Sequence, residues 1–135
     1  MSGLITGISG VRVMLYDDFI DRVGALGDLD RAEAETATQG FFEALDERLT
    51  PAEASALASR LPAELSAFLG QRRKGALSYP AAAFFARIGE RQRLDSRAAR
   101  ERALAVWAAL REALRPWELM VVRARLPREL AVQVR

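Results

Sequence analysis

Apolar residues recur every three to four positions along most of the chain, and this is the period of an α-helix. In "LYDDFIDRVGAL" the stripe comprises Phe19 or Ile20, Val23 and Leu26, which share one face. This spacing predicts a first helix with one side in a core. A second helix follows with a longer stripe, flanked by Phe42 and made of Ala34, Ala37, Phe41, Leu45 and Leu49.

Capping signals mark where the next helices begin. Asp30 is followed three residues later by Glu33, and this spacing is typical of a capping box at the start of the second helix. Thr50 is followed directly by proline and then by Glu53, so it predicts the start of a third helix. We expect that helix to run through Leu57.

A proline interrupts the third helix. Pro62 has no N–H to donate to a preceding turn, and it restrains the conformation of Leu61. We therefore predict a corner at this point, with Pro62 as the first residue of a short fourth helix, "PAELSAFL". Leu61 and Leu65 lie one turn apart and are expected to face inward.

The stretch "RLPAEL" at 60–65 returns as "RLPREL" at 125–130, which is 65 positions further on. At that offset, residues 16–65 and 81–130 align without a gap and share 17 identities in 50 positions. Such self-similarity indicates an internal duplication. The predicted fold is all-α, with two tandem four-helix repeats packed into one compact helical domain. The predicted segments are an N-terminal tail at 1–13, an acidic repeat at 14–69, a basic linker at 70–78 and a basic repeat at 79–132.

The same residues resemble a known family. "YDDFIDRV", "FFEALDERLTPAEASALASRLPAEL" and "ARLPREL" are similar to the bacterial domain-of-unknown-function family 2267, whose members are small, duplicated and helical. The resemblance extends over about residues 15 to 130. It implies the duplicated helical fold, but it implies no reaction and no catalytic residue. Arg115 departs from the pattern, because it stands where Thr50 supplies a capping hydroxyl in the first half.

The composition narrows the possible chemistry. The chain has no cysteine and no histidine, which excludes thiol catalysis, thiolate metal sites and the commonest general base. Neither a nucleophile–base pair nor a phosphate-binding loop is visible, so we predict a non-enzymatic protein without a cofactor. The N-terminal residues do not resemble a signal peptide, and no apolar run is long enough to span a membrane. We expect a cytoplasmic location.

The two halves carry opposite charge. Residues 1–65 have a net charge of −7 and residues 66–135 a net charge of +9. The basic residues include a linker cluster and arginines predicted on an outer face of the second repeat: Arg72, Arg73 and Lys74, and Arg97, Arg100, Arg111 and Arg115. Three interpretations stay open: a solvated face, a docking surface for an acidic protein or a second copy of the chain, and a nucleic-acid-binding surface.

An acidic cluster in the first helix admits two interpretations. Asp17 and Asp21 are one helical turn apart, so their carboxylates could share a cation or an acid–base task. Alternatively, Asp17 and Asp18 favour the helix N-terminus through its dipole. The second repeat has alanines at the corresponding positions, so the fold does not require these carboxylates.

Trp117 is the aromatic residue that departs from core spacing. It lies near the start of a helix where the first repeat has Ala52, and it precedes the apolar run "LMVV" at 119–122. A helix that is apolar on every side is buried or contacts a partner. We therefore predict that Trp117, Val121 and Val122 contact a protein partner or a second copy of the chain. The predicted function is a protein–protein interaction or self-association module, and the alternative is a nucleic-acid-binding accessory protein.

Overall fold

The computed structural model describes residues 14–70 and 79–131, and all regular elements in these two segments are helical. The first segment contains α1 (Tyr16–Gly27), α2 (Arg31–Asp46), α3 (Pro51–Ala58) and α4 (Ala63–Ser66). The second contains α5 (Phe84–Gln92), α6 (Ser96–Ala113), α7 (Met120–Arg125) and α8 (Arg128–Ala131), with 3-10 turns at Ala81–Ala83 and Pro116–Leu119. The predicted tail at 1–13 and linker residues Arg72, Arg73 and Lys74 lie outside the described residues. None of the helices described is long and apolar enough to cross a membrane.

Both predicted capping boxes are present. The Glu33 backbone N–H donates to the Asp30 carboxylate at 2.8 Å, and the Asp30 N–H donates to the Glu33 carboxylate at 3.0 Å. Thr50 and Glu53 form the same reciprocal pair at 3.1 and 2.9 Å. These bonds satisfy backbone donors that the first turn of a helix otherwise leaves without partners.

The ends of α1 and α5 have the same geometry. Each helix ends in a residue with left-handed backbone conformation, Asp28 and Arg93, with φ angles of 55° and 57°. The glycine four residues before each of these approaches a backbone carbonyl so closely that a Cβ atom would lie 2.9 or 2.7 Å from that oxygen. A β-carbon does not fit at either position, so glycine is required at Gly24 and Gly89.

One continuous core joins the two described segments. Helix α1 packs on α6 as well as on α2, and α5 packs on α2 as well as on α6. The predicted core residues Phe19, Phe41 and Phe42 are buried, and with Phe84 and Phe85 they form a chain of five tilted or edge-on rings. Leu45 and Leu110 are both fully buried, as predicted.

Three local expectations differ from the structure. Leu26 is exposed, because it lies at the edge of the α1 stripe near the end of that helix. Pro62 is the cap before α4 rather than its first residue, and its backbone is extended. The helix after Arg115 begins as a 3-10 turn, with α7 starting only at Met120. Arginine has no side-chain acceptor for the first-turn N–H groups, so only the Glu118 half of the capping box stabilises this start, at 2.8 Å.

Candidate interaction surface

Three large apolar side chains are exposed together on the second half of the molecule. Trp117, Met120 and Val121 keep 59%, 67% and 42% of their surface accessible, and we call them the Trp117 patch. Large exposed apolar groups in one contiguous stretch are typical of contact surfaces rather than of solvated ones.

The geometry of the helix start explains this exposure. The 3-10 turn Pro116–Leu119 is followed directly by α7, and the two form one short helical segment. Leu119, Val122 and Leu126 lie on its inner side and are buried in the core. Val122, predicted as a contact residue with Trp117 and Val121, is buried against the core, although it also lines the wall of a groove beside these two residues. The apolar run has two sides, of which only one is accessible.

A narrow groove runs beside the patch where α7 approaches α3. Its walls come from Leu49 and Leu57 on one side and from Trp117 and Val121 on the other, and its volume is about 160 Å³. Because Leu57 is buried and the patch is not, the groove extends the apolar surface inward. An apolar side chain of a partner fits a groove of this size.

Arg60 fixes the position of Trp117. Its guanidinium lies 5.3 Å from the centre of the indole ring, which is within the range of a cation–π interaction. The same group forms an ion pair with Glu118 at 3.3 Å. On the opposite side of the groove, Arg125 donates to both carboxylate oxygens of Glu53, at 3.1 and 2.7 Å. The first pair joins the residues just after α3 to the 3-10 turn Pro116–Leu119, and the second joins α3 to α7.

The structure disperses the predicted arginine face. Arg97 is highly exposed, with its guanidinium 3.6 Å from Glu101 on the next turn. Arg100 forms an ion pair with Glu129 and lies 4.9 Å from the centre of the Phe85 ring. The guanidinium groups of Arg97 and Arg100 therefore each have a carboxylate partner within the molecule.

Arg111 is half-buried rather than exposed. Its guanidinium lies 6.0 Å from the centre of the Trp107 ring, and its buried Nε has no hydrogen-bond acceptor in the described part of the chain. Arg97, Arg100 and Arg111 therefore differ in their environment. Arg97 is highly exposed, Arg100 is paired with Glu129, and Arg111 is half-buried. The linker residues predicted with them are outside the described segments.

The aspartates of α1 have an arginine partner. Arg31 at the start of α2 donates to Asp17 at 2.6 Å and lies 3.9 Å from Asp21. Among residues 14–70 and 79–131, no group of three or more acidic side chains is arranged to hold a metal ion. Burial of the Tyr16 phenol, together with the hydrogen bond that its hydroxyl donates to Glu35 of α2, raises the pKa of Tyr16 to about 12.

Comparison with known families gives one match. The family described as "Uncharacterized conserved protein (DUF2267)" matches residues 16–132, which is most of the chain. The chain belongs to this family. No curated protein matches it. The match includes both α1 and α7, and therefore contains the Trp117 patch.

Met120 and Arg60 were not predicted as parts of the surface. Comparison of the two repeats could have indicated Met120, because the polar Ser55 stands at the corresponding position of the first repeat. The signal for Arg60 is its recurrence as Arg125 at the same offset. Neither pattern shows which side of a helix faces solvent, so the exposure itself required the tertiary structure.

Proposed function

We propose that the protein is a non-enzymatic binding module that contacts another protein, or a second copy of itself, through the Trp117 patch. The observation that carries this proposal is the exposure of Trp117, Met120 and Val121 beside an apolar groove. Tryptophan is enriched among the residues that dominate binding energy at interfaces. Arg60 holds the indole in place, which lowers the entropy lost on binding.

A second copy of the chain is the simplest occupant. A twofold dimer uses the same patch on both copies, so an apolar patch beside an apolar groove is complementary to itself. Such an interface resists salt, because apolar burial is not screened. A head-to-tail dimer of the acidic half on the basic half would dissociate as salt rises.

The proposal includes the tandem four-helix arrangement. Two features support it: the matched ends of α1 and α5, and the crossed packing of α1 on α6 and of α5 on α2. Under this arrangement each repeat completes the core of the other. Ala52 and Ser55 of α3 are then replaced by Trp117 and Met120 in the second repeat alone, which restricts the contact surface to one side of the molecule.

Nucleic-acid binding by the basic second half stays the alternative. It is less favoured because Arg97 and Arg100 have nearby carboxylates in Glu101 and Glu129. Binding through phosphate contacts would fall steeply with salt concentration. Titrating duplex and single-stranded DNA at low salt tests this alternative, and tight binding that is lost in the double variant Arg97→Ala/Arg100→Ala would favour it.

Light scattering on the purified protein at low and high salt tests the leading proposal. We expect a dimer that persists at high salt and that dissociates in Trp117→Ala and Met120→Ala. The matched control is Leu26→Ala, which removes an exposed apolar side chain from α1 and should leave the dimer intact. A wild type that is monomeric at every concentration would eliminate self-association. Affinity capture from lysate with and without nuclease would then separate a protein partner from nucleic acid.

A further inference from the structure

A second, more polar cavity lies on the other side of Trp117. It has a volume of about 800 Å³, which is in the range of small-molecule sites. Arginines and small or apolar residues share its walls, including Met14, Arg60, Arg111, Ala113, Arg115 and Trp117. We call it the Arg111 cavity; it shares Trp117 with the Trp117 patch but does not require the function proposed for that patch.

The corresponding part of the first half is packed differently. At the 65-residue offset, Ala113 corresponds to Arg48 and Met14 to Tyr79. Arg48 is buried there and donates to the backbone carbonyls of Tyr79 and Arg125, at 2.8 and 3.1 Å. The Tyr79 hydroxyl is buried as well and donates to the Ala44 carbonyl at 2.6 Å. A pocket of about 620 Å³ is present in the first half too, and its walls include the residues equivalent to part of the Arg111 cavity: Asp46, Leu49, Thr50 and Pro51. The two halves therefore share a pocket at this corner and differ in the side chains around it.

The substitutions around the cavity also change its charge. Arg111 and Arg115 stand where the first half has Asp46 and Thr50. Neither arginine forms an ion pair with a carboxylate in residues 14–70 and 79–131. Because Arg111 and Arg115 are both positively charged, they would repel an arginine of a partner at the position that Arg48 occupies in the first half.

The carboxylates in the wall already have cationic partners. Arg22 donates to both oxygens of Glu112 at 2.7 and 2.9 Å, and this bond lowers the pKa of Glu112. Glu118 is paired with Arg60. Arg111 also acts on Glu112 and helps to lower its pKa. The wall nevertheless has three arginines and only two glutamates, so its net charge is positive and it would attract a negatively charged ligand.

We propose that the Arg111 cavity binds a small organic anion, with its carboxylate or phosphate group held by Arg111 and Arg115 and its apolar part against Trp117. Planar guanidinium groups bind both kinds of anion through paired N–H donors. The exposed face of Trp117 and the adjacent Pro116 supply apolar surface at the mouth of the cavity. The ligand would thus be recognised by one charged end and one apolar end.

Titration followed by NMR of the arginine Nε–H groups tests the proposal. The probes are phenyl phosphate and benzoate, with benzyl alcohol as the uncharged control, all at constant ionic strength. We expect saturable shifts of the Arg111 and Arg115 signals with a common midpoint for at least one anion, and none with benzyl alcohol. Comparison of the two anions distinguishes a phosphate site from a carboxylate site.

Three variants decide whether the cavity is responsible. Arg111→Gln and Arg115→Gln should each weaken binding about tenfold, because each removes a charge-assisted hydrogen bond. Arg97→Gln removes an exposed arginine from the same helix and is expected to leave the midpoint within about twofold. Ala113→Leu adds a larger, uncharged side chain to the wall of the cavity and should weaken binding.

The melting curve of each variant verifies that it is folded, and the glutamine variants keep the test valid if Ala113→Leu does not fold. Equal weakening by Arg97→Gln and Arg111→Gln, or shifts that never saturate, would overturn the proposal. A midpoint that is unchanged in a folded Ala113→Leu protein would overturn it as well.

Discussion

Arg22 on α1 donates two hydrogen bonds to Glu112 on α6, and the residues 65 positions away form the reciprocal pair, because Arg87 donates to Glu47 at 2.8 Å. The same reciprocity holds for Arg60 with Glu118 and for Arg125 with Glu53. These charged positions are among the identities between the two halves, and each pair joins one half to the other. The ion pairs formed by these repeated residues therefore stabilise the contact between the two halves.

The Arg87–Glu47 pair and the Arg22–Glu112 pair should differ in their contribution to stability. Glu47 is only 1% exposed and binds Arg87 and Arg91, whereas Glu112 is 48% exposed. Glu47→Gln leaves two guanidinium groups without their buried counter-charge, so we expect the free energy of unfolding to fall by about 3 kcal/mol. Glu112→Gln should cost less than about 1 kcal/mol. Urea denaturation of both variants measures the difference, and equal costs would contradict the role assigned to burial.

The central leucines of α2 and α6 should contribute alike. Leu45 and Leu110 are both fully buried at equivalent positions of the repeat. Each Leu→Ala variant leaves a cavity in the shared core and is expected to cost about 2 to 5 kcal/mol. The exposed Leu26→Ala is the control and should change stability by less than about 0.5 kcal/mol. A small loss at only one of the buried leucines would show that the core is not shared equally.

Acid should weaken the contact between the halves. The hydrogen bond from Arg125 lowers the pKa of Glu53, and that from Arg22 lowers the pKa of Glu112, below the ordinary value of 4.5. A depressed pKa in the folded state stabilises the protein above the unfolded-state pKa, and this stability is lost as the pH falls through the folded-state pKa. We expect the urea midpoint to decrease from pH 6 towards pH 3. The decrease should be smaller in the double variant Glu53→Gln/Glu112→Gln, and an identical pH profile would contradict the assignment.

A hydroxyl at position 115 should stabilise the start of the third helix in the second half. Arg115 leaves this start with only the Glu118 contact, whereas Thr50 caps the equivalent helix from both sides. We expect Arg115→Thr to raise the free energy of unfolding by about 1 kcal/mol. Thermal melting measures the gain, and Arg115→Val, which has a similar shape without the hydroxyl, is the control. Equal stability of the two variants would show that the cap is not the cause.

Much of the fold could be predicted from sequence because its signals are local. The caps at Asp30 and Thr50 act over three residues, and the stripe that contains Phe41 and Leu45 reflects the helical period. The offset of 65 residues likewise predicted which buried positions correspond. These features depend on neighbours within one or two turns, or on direct comparison of two stretches, so the chain alone determined them.

The tertiary structure decided what lies across from each helix. Periodicity shows that α1 has an apolar face, but not that this face packs on α6, some 80 residues away. Likewise it could not separate the buried Val122 from the exposed Met120, because both are apolar and both lie in one short run. The Arg111 cavity is lined by Met14 of the first half and Ala113 of the second, which come together only when the two halves pack. Long-range packing decides which face of each helix is buried, and local sequence patterns do not. For this reason the exposed surfaces of this protein could be assigned from its fold and not from its sequence.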